Sequence, residues 1–153
     1  MLESVRDLGE DVAKLAASPL WPLSDSELVA CLQDVNLRLA GRRILQPDTV
    51  VADTDDVGTT VEAAEAKLVV EVVSPGNAGT DRLLKPQLCA AAGIGWYLRV
   101  EKPHDSVELH FERLAGDHYI PAAIASPGQA LASEEPFPFE LEVASLLHRR
   151  RRD

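Results

Sequence analysis

Two carboxylates occupy positions where a folded chain normally places apolar side chains. Asp48 opens the segment Pro47-Asp48-Thr49-Val50-Val51-Ala52-Asp53, and Glu71 interrupts Leu68-Val69-Val70-Glu71-Val72-Val73. A continuous run of Val and Leu reads as a central strand buried on both faces. An ionised carboxylate in such a strand is costly unless it is paired, protonated or bound to a metal. On neighbouring strands, Asp48 and Glu71 make a divalent-cation site, and Lys85 follows on the next expected helix. The order Asp, Glu, Lys suits metal-dependent phosphodiester hydrolysis. Two carboxylates are hard ligands for Mg²⁺ (Mn²⁺ as an alternative), which keeps waters and takes further ligands from phosphate. The cation lowers the pKa of a bound water, and Lys85 orients that water or offsets charge in the transition state. Strand alternation sets Val69 and Val73 on the face of Glu71, so the backbone carbonyl of Val72 or Val73 is a further candidate ligand. Histidine and cysteine spacings typical of zinc are absent.

Each residue also has an ordinary reading. Asp48 after Pro47 fits a turn at the start of a strand. Glu71 fits a structural ion pair, and Asp81 with Lys85, four residues apart, fits a helix-surface pair. His104, His110 and His118 fall in or beside exposed strand positions and read as solvated. Ser74 reads as a turn residue, and Gly93 and Gly95 as a helix-to-strand turn.

The elements that must position these groups follow from periodicity. Residues 1–23 predict a helical arm carrying Val5, Leu8, Val12 and Leu15. Ser24-Asp25-Ser26-Glu27 reads as a capping box, opening a second helix with Leu28, Cys31, Leu32, Val35 and Leu39 on one face and Gly41 at its end. Strands are expected over 48–53 and 68–73, joined by an acidic segment, 53–65, read as a solvated loop. Ser74-Pro75-Gly76-Asn77 breaks the chain before a helix ending at Gly93. Pro86 is comfortable in a first helical turn but costs about 3 kcal/mol inside a helix, so that helix begins near Lys85 or kinks there. Trp96–Val100 is a strand, and 107–112 alternates apolar with Glu108, His110 and Glu112. A turn at 115–117 leads to a partner strand, 118–125, and a last strand over 137–143 runs into a short helix with Leu146 and Leu147. The fold class is mixed α/β or α+β: a core sheet flanked by helices, with an added antiparallel hairpin and the N-terminal helical arm. The chain divides into a helical segment (1–43), a main domain (44–148) and a basic tail (149–153).

At 153 residues the length suits one domain, and 46% hydrophobic with 26% charged residues is ordinary for a globular chain. The net charge of −10 disfavours free DNA binding, which depends on cations displacing counterions, unless bound metal and a local basic patch reverse the field. Concentrated positive charge occurs at Arg149–Arg152 and at Arg42 with Arg43. No apolar stretch reaches the roughly 18 residues of a membrane span, and no signal peptide opens the chain, so a cytoplasmic location without membrane association is expected. Cys31 and Cys89 read as small buried hydrophobes in a reducing compartment.

Gln46-Pro47-Asp48-Thr49-Val50-Val51, Leu68 to Pro75, Asp81-Arg82-Leu83-Leu84-Lys85 with Ala92-Gly93-Ile94, and Pro136 to Leu147 together resemble the Uma2 family. This family, also called DUF820, belongs to the PD-(D/E)XK nuclease superfamily. The resemblance covers about residues 44–147, and nothing in residues 1–43 matches it. It implies a restriction-endonuclease-like core, Mg²⁺-dependent DNA cleavage and a homodimer. It further implies Asp48 and Glu71 as metal ligands and Lys85 as the catalytic cation, with Val73 standing where the superfamily's lysine is otherwise expected. Cys89 stands where the family commonly has Tyr. The expected function is therefore an endonuclease hydrolysing DNA phosphodiester bonds. The alternative is a catalytically weak relative serving as a dimerising or partner-binding domain.

Overall fold

The valine-rich runs form the centre of a mixed sheet. The protein is described from a computed structural model, covering residues 29–33, 35–53, 59–73, 79, 83–101, 106–136 and 138–144. Six strands build the main sheet: β1 (Val29–Gln33), β4 (Thr49–Asp53), β6 (Ala66–Val72), β7 (Trp96–Glu101), β8 (Glu108–Ala115) and β9 (His118–Ala125). Their spatial order is β1-β4-β6-β7-β8-β9. Every neighbouring pair is antiparallel except β6 and β7, which run parallel. The helix α1 (Lys85–Ala91) lies in the crossover between those two parallel strands, as parallel strands require. A small sheet joins β2 (Asn36–Arg38) to β3 (Ile44–Leu45) and to β5 (Thr60–Glu62), and a ribbon pairs β10 (Ala130–Ser133) with β11 (Phe139–Glu142). The architecture is mixed α+β, as the sequence predicts.

Strand alternation divides the apolar side chains into two cores. Leu68, Val70 and Val72 of β6 pack with Leu98, Val100, Leu109 and Phe111, under Leu131, Phe139 and Leu141 of the ribbon. Val69 packs with Val50, Ala52 and Tyr97 on the other face, under Cys89 of α1 and under Leu37 and Val61 of the small sheet. The first core is anchored by Phe111, stacked on Trp96 at 4.8 Å between ring centroids and met edge-on by Phe139 at 5.3 Å. Phe111→Ala is therefore expected to cost about 3–5 kcal/mol in denaturant unfolding, and a loss below about 1 kcal/mol would show that this packing does not matter.

Two expectations about local structure are corrected. Over residues 29–38, where a helix beginning at Ser24 is predicted, the chain forms β1 and β2. Five consecutive residues of β1 pair with Thr49–Asp53 of β4. Within the expected loop 53–65, Thr60–Glu62 is a strand in parallel register with β2, and Val61 is buried. In both places distant strand pairing prevails over the local pattern. Gly41 does mark a turn, at φ +73°, before β3. The expected arm over 1–23, Ser74, Asp81, His104 and the basic tail lie outside the described residues, as does the short helix after Ala144.

Candidate metal centre

Two contacts near the end of β6 involve the candidate groups: Asp48 with the backbone of Val72, and Lys85 with Glu71. The N–H of Val73 donates to the carbonyl of Val100 on β7 at 2.9 Å. Successive N–H groups of a strand point to opposite neighbours, so that of Val72 points toward β4, whose ladder starts only at Thr49. Asp48 takes the vacant acceptor position: its Oδ2 accepts the Val72 N–H at 2.7 Å. A strand residue's N–H and C=O face the same neighbour, so the Val72 carbonyl also faces the side on which Asp48 lies.

Glu71 is 2% exposed, the one carboxylate in the described core. Its Oε2 accepts a hydrogen bond from Lys85 Nζ at 3.3 Å, and the Lys85 side chain is 24% exposed. Lys85 is the first residue of α1, so Pro86 falls in the first turn, where a missing N–H removes no helical bond. Leu83 and Leu84 ahead of it form a π-helical turn that leads into α1, and the Lys85 side chain reaches Glu71. Val50 and Val69 share the buried cluster beneath α1. The ladder of β4 and β6 ends with Thr49 paired to Val70, and Asp48 lies one residue beyond it, in a bend.

The arrangement collects carboxylate oxygens, a backbone carbonyl and one ammonium, which suits a hard cation better than a soft one. Cys89 lies in the same buried cluster. Burial first, and then the charge of Glu71, push its thiol up to about 12, with Lys85 acting in the opposite sense. Cys89 is fully buried and packs with Val50, Val69 and Tyr97 beneath α1.

A row of polar groups continues along the same face. Arg99 of β7 is the register partner of Glu71 and is in turn paired with His110 of β8. Arg99 donates to Glu112 Oε1 at 2.7 Å, and its Nε lies 3.7 Å from Glu101. Glu101, Glu108 and His110 bring ligand atoms within 4.8 Å of one another. His110, expected to be solvated, is instead only 17% exposed, holding Glu108 and standing 3.5 Å from Glu101. His118 is exposed, as expected. Sequence reading missed this row because alternation alone marks Glu108, His110 and Glu112 as a wet strand face; only the register shows what lies beside Glu71. A separate open groove lies at the amino end of β7, lined by Trp96, Arg113 and Glu135 among others, and no candidate residue borders it.

A model of the Uma2 family, described as "Putative restriction endonuclease", matches residues 7–146. The match includes much of the segment 1–43, in which sequence reading finds nothing of that family. A crystal structure at 1.96 Å resolution of a "putative nuclease belonging to DUF820" from Anabaena variabilis ATCC 29413 is similar in fold, with a TM-score of 0.67 at 13% identity. The similarity covers 97% of this chain and 83% of that one. No curated protein sequence matches. No helix among the described residues is long and apolar enough to cross a membrane.

Proposed function

From the premise that this chain belongs to the Uma2 family of restriction-endonuclease-like nucleases, we propose that it is a Mg²⁺- or Mn²⁺-dependent endonuclease hydrolysing DNA phosphodiester bonds at Asp48, Glu71 and Lys85. The observation that carries the reading is Glu71, a carboxylate 2% exposed in a strand of valines with an ammonium 3.3 Å away. Burying a charge is costly, and a strand of this composition gains nothing in packing from a carboxylate that valine would not supply. A site that binds a cation supplies the reason. Asp48, Glu71 and the Val72 carbonyl are the groups that would hold it. The ion supplies an acidified water and an electrostatic counterweight to the phosphorane.

The chain's own groups do the rest. The Val72 N–H fixes the Asp48 carboxylate at the end of the sheet, so that ligand needs little reorganisation. Lys85 brings a positive charge beside Glu71 from the first residue of α1. Its three N–H donors can hold the attacking water or a non-bridging phosphate oxygen. Because net charge is −10, the substrate would be held by the bound cation and the Lys85 ammonium rather than by the field of the whole chain. A cytoplasmic homodimer, with one such site per chain, completes the proposal; sedimentation at micromolar concentration tests the dimer.

Titration calorimetry with Mg²⁺ and Mn²⁺ tests the site, with plasmid nicking as the catalytic readout. Lys85→Ala is expected to lower nicking by about 10²–10³-fold while metal binding persists. Unchanged nicking removes Lys85 from the reaction. Wild-type protein that binds neither cation and nicks nothing favours the catalytically weak, partner-binding reading instead.

A further inference from the structure

We infer that Arg99 is a phosphate-binding residue of this site, held by Glu112 in the absence of DNA; the inference rests on the nuclease reading above. Arg99 is the parallel-register partner of Glu71, so the two side chains leave adjacent strands on one face of the sheet. Adjacent strands lie about 4.8 Å apart, which puts the base of the Arg99 side chain within one phosphate's width of the candidate metal ligand. Among the described residues of this row, Asp48, Glu71, Glu101, Glu108 and Glu112 carry negative charge, against Lys85 and Arg99 as the permanent cations. Lys85 is engaged with Glu71 at 3.3 Å. Lys85 serves the water or phosphate oxygen beside that ligand, and Arg99 is a second cation that can turn toward a phosphodiester without releasing a candidate metal ligand.

Its present contacts leave that option open. One guanidinium nitrogen donates to Glu112 at 2.7 Å, and Nε stands 3.7 Å from Glu101, beyond hydrogen-bonding distance. A guanidinium has five N–H donors in a planar fork that matches phosphate oxygens two at a time. The side chain is 18% exposed, so solvent and ligand reach it. Glu112 is 14% exposed and faces Tyr97 across the β7–β8 pair, where it holds the guanidinium over the sheet.

The test uses two variants that break the same ion pair from opposite ends. Arg99→Ala removes the Arg99–Glu112 ion pair and Glu112→Gln weakens it to a neutral hydrogen bond, so both lower the melting temperature, and a purely structural arginine would leave DNA binding unmoved by either. DNA binding separates the cases. Fluorescence anisotropy of a labelled duplex is followed across a salt series with Ca²⁺ in place of Mg²⁺. Arg99→Ala should weaken binding and make the slope of log K against log salt shallower by about 0.9, the share of one phosphate contact. Glu112→Gln should tighten binding, because it loosens the hold on the guanidinium and removes a negative charge. Arg99→Lys, which keeps the charge for folding but loses the fork, should weaken binding less than Arg99→Ala. Two variants that shift affinity in the same direction, or leave it and the salt slope unchanged in a wild type that binds and cleaves DNA, overturn the inference alone. A wild type that neither binds nor cleaves DNA overturns the nuclease reading, and the inference with it.

Discussion

Glu71→Gln is expected to abolish metal-dependent cleavage while leaving the fold intact. The amide has nearly the volume of the carboxylate, so the valine-lined position is not emptied. Lys85, left facing a neutral partner, is 24% exposed and can turn its ammonium toward water. Stability without metal should therefore change little, by about 1 kcal/mol or less. Activity should fall on the order of 10³-fold or more, since an amide oxygen binds a hard cation far less well and the cation supplies several kcal/mol of transition-state stabilisation. A second readout does not depend on turnover. Metal at about one hundred times its dissociation constant stabilises the folded state by about 2.7 kcal/mol, roughly 5–10 °C in melting temperature for a chain of this length. Wild type should show that shift with Mn²⁺, and the Glu71→Gln variant should not. Equal shifts in both would place the cation elsewhere, with the half-buried Glu101, Glu108 and His110 as the first place to look.

How much of this was legible in the sequence depends on the range of the interaction concerned. β4 and β6 announce themselves through uninterrupted Val and Leu, because a strand buried on both faces leaves polar residues no place. The β8–β9 hairpin is equally plain from alternation around the turn at Gly116, whose φ is +69°. Glu71 was legible for the same reason, as the violation of a strong pattern, whereas Asp48 stands in a bend just ahead of β4. Residues 29–39 were not. Cys31, Leu32, Val35 and Leu39 repeat at helical spacing, yet 29–33 pairs with β4 and 36–38 pairs with β3 and β5, and the backbone bonds of those ladders decide the structure. Thr60–Glu62 was missed because one buried valine in an acidic segment has no period to detect, and its parallel partner lies more than twenty residues earlier. Arg99 escaped for a third reason: its importance comes from standing next to Glu71 across a parallel pair joined by a helix, a register that no local pattern encodes.

Asp48 should answer differently to two substitutions, because its carboxylate has two tasks. One is structural: Oδ2 accepts the N–H of Val72, a residue 1% exposed, at the point where β4 has not yet begun its ladder. The other, on the reading proposed above, is to supply a charged oxygen to the cation. Asp48→Asn keeps an amide oxygen for the Val72 N–H and loses the charge. Asp48→Ala loses both and leaves the N–H without its acceptor, at a cost of about 1–3 kcal/mol. Unfolding in urea should therefore find the Asn variant close to wild type and the Ala variant destabilised, whereas nicking should fall in both, on the order of 10²-fold or more. The order of stabilities tests the hydrogen bond, and the shared loss of nicking tests the metal ligand. An Asn variant that nicks at the wild-type rate would leave Asp48 as the turn residue its place after Pro47 first suggests, closing the end of β6 and binding nothing.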